Sequence, residues 1–534
     1  MKFISRSLLF LLALYGLVFA FGDWYLVRSG ADLWLAIVFA VAFIGLQYLV
    51  APYIIQWVLD ISWCDQGAKL PDANRQFIEK LCAERGLKVP RLGIIYSGTP
   101  NAFSFGRTRG DARVVVTSGL LDVLTPEESN AVLAHELGHV EHRDFLVMTI
   151  ATLAPLLLYQ IYVVANRINN ARFVAYGAYI CYLVSQYIVL MLNRTREYFA
   201  DHYAAEVTHA PSALSSALVK IAYGMVREEG EYQRVMAEGD KGEKKQARKI
   251  KQLAGTVALM GISSVKAGSA LVLGQANPTE AAAVMKWDLA NPWARFYELS
   301  STHPLTALRI KELNRDAAAM HQAIEYPLPQ EQSRNWGKFS LEFLVWVLPV
   351  LCGAGFILTS WLPHLFALLH IELPTNIQPM LLTALGVTWF ARILYRYRGE
   401  FHDSKVGTLL QDLEVSQMQP RGVRMKGKIV GRGEPGAFWS PDLVFRDDTG
   451  IMFLLYRSSI PFARFMFGTG KAEEYVGREV VVEGWYRRGL APYIEMSKLT
   501  GEDGRSSRLY SRWIQSLAAA ICVAIGWLWL TGAL

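Results

Sequence analysis

Cysteine is scarce in this 534-residue chain: Cys64, Cys82, Cys181, Cys352 and Cys522 are scattered, with no C-x-x-C pair among them. That spacing excludes a thiolate zinc site and offers no disulfide framework, so reduced or membrane-buried thiols are expected. Charge is scarce as well. Asp, Glu, Lys and Arg make up 19% of the sequence, against about 25% in ordinary soluble domains. With 52% hydrophobic residues and a positive mean hydropathy, the chain is too apolar for a plain soluble enzyme. The net charge of +7 therefore reads first as cytoplasmic loops of a membrane protein, before any nucleic-acid surface.

What is present in their place is a set of long apolar runs. They lie at Leu8–Val27, Leu33–Val58, Phe145–Ala165, Phe173–Leu192, Phe343–Leu362, Met380–Tyr395 and Trp513–Leu530. About 20 apolar residues cross a bilayer, so about seven spans are expected. The first run, preceded by Lys2 and Arg6, has a cleaved signal peptide as its rival reading. A second run follows at once, which favours an anchored hairpin with both ends in the cytoplasm. Between Phe343–Leu362 and Met380–Tyr395 the loop lacks Lys and Arg, whereas Arg392, Arg396, Arg398 and Lys405 crowd the far side. That asymmetry puts the loop outside and the following module inside. Arg167 and Arg172, between the third and fourth runs, fit this rule poorly and leave open whether that pair fully crosses.

Chemistry is concentrated in Thr125–Arg143, T-P-E-E-S-N-A-V-L-A-H-E-L-G-H-V-E-H-R. Thr125 and Glu128 form a T-x-x-E capping box with Pro126 at the first helical position, which predicts a helix. His135 and His139, four apart, leave one face of that helix as two zinc ligands, and Glu136 is placed to act as general base. A bare H-E-x-x-H also occurs on ordinary surface helices, and the motif needs a third ligand. Glu197, after the fourth apolar run, supplies one, and Asp201, four further on, is placed to orient a ligand histidine. Upstream, Asp72–Gly86 reads as a helix and Arg91–Tyr96 as a strand. Asn101–Gly106 and Ala112–Thr117 read as a hairpin. Asn101–Gly106 is either an exposed edge strand that pairs with a peptide or a hairpin that only covers the helix.

His135-Glu136-x-x-His139, Glu197-x-x-x-Asp201, Asn101-Ala102-Phe103 and Ser301-Thr302-His303-Pro304 with Arg309 together resemble the HtpX-like membrane zinc peptidases. These are gluzincin relatives of the CAAX prenyl endopeptidases, and the resemblance covers roughly residues 1–320. It implies one zinc ion per chain held by His135, His139 and Glu197, with Glu136 as general base. It further implies Asp201 and Arg309 behind the ligands and Asn101, Ala102 and Phe103 along bound peptide. His303 is implied as a stabiliser of the tetrahedral intermediate; spacing alone would not select it.

Beyond Pro329 the resemblance fades. Short β patterns at Val423–Val430, Leu443–Arg446, Ile451–Tyr456, Glu479–Trp485 and Tyr493–Leu499 suggest a small, OB-like barrel. Arg421, Arg424, Lys426, Lys428 and Arg432, followed by Phe438 and Trp439, admit nucleic-acid binding as the weaker reading. Lys241–Lys251 reads as a solvated or lipid-facing basic run, and Gly255–Gly274 as part of the soluble domain or a flap. The expected fold is thus a membrane α-helical protein with an α+β gluzincin-type domain and an all-β module. Its expected parts are two spans in 1–59, the peptidase domain in 60–340 with two helices inside it, and two spans in 341–400. A cytoplasmic module in 401–510 and a last span in 511–534 complete it. The expected activity is zinc endopeptidase action on membrane or membrane-associated proteins from the cytoplasmic side of a bacterial inner membrane, in quality control. The rivals are a CAAX-type processing peptidase and a membrane scaffold with a vestigial peptidase domain. Substrate identity and oligomeric state are not readable from the sequence.

Overall fold

The computed structural model describes residues 33–534 except 60, 99, 169–170, 222–277, 330–333, 362–371, 433–440, 461, 490–491 and 534. The expected first span at Leu8–Val27, the basic run Lys241–Lys251, the segment Gly255–Gly274 and Phe438–Trp439 lie outside the described residues. Two compact units are present. Among the described residues, the first comprises those in 33–221, 278–285 and 296–329, and the second those in 286–295 and 334–533.

In the first unit the main helices are α1 (Leu33–Val58), α2 (Asp72–Arg85), α3 (Pro126–Glu141), α4 (Asp144–Ala165), α5 (Arg172–Thr208) and α6 (Thr306–Ala319). A four-stranded sheet runs β1 (Ser62–Trp63), β2 (Arg91–Ile95), β4 (Arg113–Thr117), β3 (Ala102–Phe105) in spatial order. β2 and β4 are parallel, whereas β3 is antiparallel to β4, with Ala102 opposite Val116 and Phe103 opposite Val115. β4 reads R-V-V-V-T and is buried throughout, the pattern of a strand covered on both faces. Alternation along the strand divides its side chains. Val114 and Val116 join the core that holds Ile78, Leu81, Ala131, Ala134 and Leu137. Val115 turns the other way, against Leu59, Trp63, Phe103 and Phe105. The core therefore clamps α3 directly to the sheet. Cys82 packs inside the same core, and burial pushes its thiol up to about 11, the state of an inert structural cysteine.

The second unit contains α7 (Trp336–Trp361), α8 (Ile377–Arg396) and α9 (Ser511–Leu530), and a seven-stranded sheet. Its strands are β5 (His402–Asp403), β6 (Arg421–Arg432), β7 (Leu443–Arg446), β8 (Ile451–Leu455), β9 (Glu479–Arg488), β10 (Pro492–Gly501) and β11 (Ser506–Arg508). The pairings β6–β7, β7–β8, β8–β10, β10–β9 and β9–β6 close a ring. This is a small barrel, and all five expected strands belong to it. One pair in the ring, β8–β10, is parallel. Arg421, Arg424, Lys426 and Lys428 of β6 are exposed, and Arg424 pairs with Glu483 at 3.0 Å and Arg421 with Asp412 at 2.6 Å.

Six described helices are long and apolar enough to cross a membrane: α1, α4, α5, α7, α8 and α9. The seven expected from the sequence thus stand as six among the described residues. Large apolar side chains are exposed along them, among them Trp34, Leu49, Phe173, Ile180, Ile188, Leu351 and Leu517, a surface suited to lipid rather than water. With its 37 residues, α5 is about 55 Å long. That exceeds the roughly 30 Å hydrocarbon core. Its C-terminal part buries one face, Arg194, Glu197, Ala200, Asp201 and Ala204 among others, and so carries Glu197 and Asp201 of the site.

Candidate metal and active site

The helix that carries the site begins as its sequence predicts. Thr125 Oγ1 accepts from Glu128 N at 3.3 Å, and Glu128 Oε2 accepts from Thr125 N at 2.9 Å, completing the capping box. Glu128 is also held by Ser216 Oγ at 2.6 Å and Lys220 Nζ at 2.6 Å. Burial opposes its charge, but these donors prevail and hold the carboxyl below its usual range. The start of α3 is thereby fixed.

One turn before its end, α3 meets α5 closely. A Cβ at Gly138 would lie 3.2 Å from Ala200 Cα and 3.1 Å from the Tyr203 ring. Glycine permits that approach, since any larger residue would have to push the helices apart. The contact sets His135 and His139 opposite Glu197. His135 Nε2 and His139 Nε2 are 3.2 Å apart, and each lies 3.7 Å from a Glu197 oxygen. Ligand atoms of all three residues fall within 4.8 Å of one another, and all three residues are buried. This group can hold a metal ion.

The outer ring nitrogens show why. His135 Nδ1 lies 3.0 Å from Asp201 Oδ1, and His139 Nδ1 lies 2.6 Å from Asp144 Oδ2. Asp144 bonds His139 Nδ1 and Asp201 lies beside His135 Nδ1; protons held there leave both Nε2 lone pairs aimed at one point. Two lone pairs and a carboxylate converging in a buried space suit a cation between them. Zinc bonds nitrogen at about 2.0–2.1 Å, so two tetrahedral nitrogen ligands sit about 3.3 Å apart. The observed spacing fits. Glu197 Oε2, buried and without a hydrogen bond, is a further group such an ion would satisfy. Burial works against a charged His139, yet Asp144, Glu197 and Glu136 raise its pKa on balance. The pocket therefore attracts positive charge.

Around this centre the expected residues fall as follows. Asp201 is gripped by Arg309, Nε to Oδ2 at 2.7 Å and Nη2 to Oδ1 at 2.5 Å. Burial pulls against the guanidinium charge, but Asp201 and Glu197 hold it above its ordinary pKa. Glu136 is 3% exposed, too buried for a solvated surface carboxylate. His303 Nδ1 lies 3.3 Å from Glu197 Oε2, so the structure brings it to the centre although spacing alone did not. Asn101, Ala102 and Phe103 are buried; Ala102 and Phe103 belong to the outer strand of the sheet, and Asn101 immediately precedes it. Thr117 N donates to Asn101 O at 2.9 Å, so Asn101 faces β4. By strand alternation the main-chain groups of Ala102 and Ser104 then face away from it. Asn101 Oδ1 accepts from Ala102 N at 3.0 Å, which caps one of those outward donors.

Sequence reasoning missed Asp144, Arg196 and Arg194. Asp144 reaches back to His139 because Arg143 takes a left-handed conformation, φ 57°, in the two-residue turn from α3 to α4. Arg196 Nη2 steadies Asp144 at 2.8 Å. Arg194 Nη1 donates to the carbonyls of Glu298 and Ser301 at 2.8 and 2.9 Å. Asn193 donates to Thr302 O at 2.7 Å, and together they tie the His303 segment to α5. An acid five residues beyond the second histidine was the available signal for Asp144; the arginines gave none.

Residues 72–317 match the family described as Peptidase family M48. The chain is 38% identical over 222 residues to a Protease HtpX homolog of Methanothermobacter thermautotrophicus, covering 41% of this chain and 83% of the relative. It is 34% identical over 232 residues to a Protease HtpX homolog of Moorella thermoacetica, covering 41% of this chain and 76% of that one. The crystal structure of S. mikatae Ste24p overlays with a TM-score of 0.37 at 18% identity, over 58% of this chain and 65% of that one; an overlay so weak adds no weight. A buried His-His-Glu group and a 38% match across most of a relative's length lead to one conclusion: the chain is a metalloprotease belonging to Peptidase family M48, alongside the HtpX homologues.

Proposed function

We propose that this membrane peptidase is a zinc endopeptidase that cuts membrane or membrane-associated proteins from the cytoplasmic side of a bacterial inner membrane, in quality control. The reading is carried by one observation: His135, His139 and Glu197 converge, and the helix carrying the two histidines packs on the outer strand β3. A zinc ion held by these three would polarise a peptide carbonyl and bring the pKa of water towards ~7 from 15.7. Glu136 accepts the proton of the attacking water and delivers it to the leaving amine. His303, beside Glu197, donates to the developing oxyanion. Asp201 with Arg309, and Asp144 with Arg196, hold the two imidazoles in tautomer and orientation. Zinc content measured with cleavage of an unfolded membrane protein tests this reading. A zinc-loaded, folded chain that cleaves nothing would favour a scaffold, and cleavage confined to prenylated peptides would favour a CAAX-type role.

Substrate would lie along β3 as an added strand, paired through main-chain groups that carry no side-chain preference. That suits an enzyme accepting many damaged proteins. Ala102→Pro removes the outward donor that Asn101 Oδ1 holds in the free enzyme and that substrate would take over, and it restricts Asn101. The variant is expected to bind zinc normally and melt near the parent while cleaving at least ~tenfold more slowly, roughly the loss of one or two backbone hydrogen bonds. Cleavage at the parental rate by a zinc-loaded Ala102→Pro protein would eliminate strand pairing.

Orientation rests on the Lys and Arg asymmetry. In a cysteine-free background, Thr375→Cys should react with an impermeant thiol reagent in intact spheroplasts. Lys80→Cys and Ser506→Cys should react only after lysis. Labelling of Lys80→Cys from outside would place the peptidase domain on the opposite face. The barrel, with its five-strand ring and one parallel pair, we read as OB-like. Its paired arginines support a protein-facing or purely structural role over nucleic acid.

A further inference from the structure

Helices α8 and α9 of the second unit run antiparallel in close contact. A Cβ at Gly386 would lie 2.7 Å from Ala519 O, and one at Gly526 would lie 3.0 Å from Pro379 O. The C-terminal end of α8 is therefore beside the N-terminal end of α9. Both helices qualify as membrane spans, so these ends mark a membrane surface. A cavity of about 450 Å³ opens there, lined by Trp389, Arg392, Arg396, Ser459, Gln515 and Ala518 among others.

The cavity has more positive charge than its own acids can balance. Arg396 Nη2 bonds Glu495 Oε2 at 3.0 Å, but that carboxylate is shared with Arg487 Nε at 2.9 Å and Tyr397 OH at 2.6 Å. Burial alone would raise the pKa of Glu495; the two arginines bring it down to about 2, so it is fully charged and fully used. Arg396 Nε is buried with no acceptor. Arg392 has no hydrogen-bond or ion-pair partner among the described residues. The cavity wall thus carries two guanidiniums, Arg392 and Arg396, and no carboxylate among its lining residues. The polar end of the cavity holds Ser459 Oγ, which accepts from Gln515 Nε2 at 2.9 Å. Trp389, Ile514 and Ala518 make the rest apolar.

We propose that this cavity binds the headgroup of an anionic phospholipid, its phosphate between Arg392 and Arg396 and its first acyl carbons against Trp389 and Ala518. A phosphate oxygen accepts from the guanidinium of Arg392, and the neighbouring Arg396 adds a second positive charge to the same wall. Free phosphate shares the charge but would leave the apolar wall uncovered. Position at a membrane surface favours the lipid.

Native mass spectrometry of the full chain, titrated with phosphatidylglycerol in mild detergent, tests the site. Phosphatidylcholine and inorganic phosphate are the comparison ligands. The parent should retain phosphatidylglycerol, retain phosphatidylcholine poorly, and keep its lipid in excess phosphate. Arg392→Gln should weaken phosphatidylglycerol about tenfold, the size of one lost charged contact. Ala518→Phe, which fills the cavity without changing charge, should weaken it comparably. Arg508→Gln, an exposed arginine elsewhere in the same unit, should leave binding unchanged. Equal binding by the parent and both cavity variants would overturn the site. An equal loss in Arg508→Gln would reduce it to general basicity, and displacement by inorganic phosphate would overturn the lipid as its occupant.

Discussion

Glutamine in place of Glu136 is expected to slow cleavage by about 10²–10⁴-fold, the usual contribution of a general base, while the metal stays bound. The substitution preserves shape at a side chain that is only 3% exposed, so the helix should keep its packing. An amide has no basic oxygen, and the proton of the attacking water then has nowhere to go. The three converging ligand atoms belong to His135, His139 and Glu197, none of which is touched. Elemental analysis should therefore return about one zinc per chain, and single-turnover assays should locate the loss in the chemical step. Parental turnover by a zinc-loaded Glu136→Gln protein would remove Glu136 from the role of base.

Glu197→Ala is expected to empty the site. It leaves two imidazoles to hold a dication that otherwise takes three protein ligands, and it removes the only carboxylate in the converging set. Zinc content should fall below what dialysis retains, and cleavage should vanish with it. Asp144→Asn is the informative contrast. It spares every converging atom but weakens the partner 2.6 Å from His139 Nδ1, so zinc affinity should fall by about 10–100-fold rather than disappear. Metal and activity both surviving Glu197→Ala would show the ligand assignment to be wrong. A larger loss from Asp144→Asn than from Glu197→Ala would exchange their roles.

Much of this protein was already fixed by local rules. A Thr, a Pro and a Glu at set offsets start α3 where they should, because a capping box needs only four consecutive residues. Two histidines four apart share a face because the helix repeats every 3.6 residues. Apolar runs of spanning length, and short β patterns between Gly- and Asp-rich turns, likewise report their own conformation without reference to anything distant.

Whatever depended on two distant segments meeting was decided by the fold. Glu197 becomes a partner of His135 and His139 because α5 packs on α3, with Gly138 at the close approach, a contact between helices far apart in sequence. Asp144 reaches His139 through a left-handed residue at Arg143, a conformation that arginine composition gives no reason to expect. β3 is the outer strand because β4 pairs in parallel with β2 and leaves only one side for it. Five strands legible one by one close into a ring only once β9 pairs with both β6 and β10. Periodicity states which face a segment will bury; which partner buries it depends on long-range packing, where chain entropy and side-chain fit decide among many faces of similar pattern.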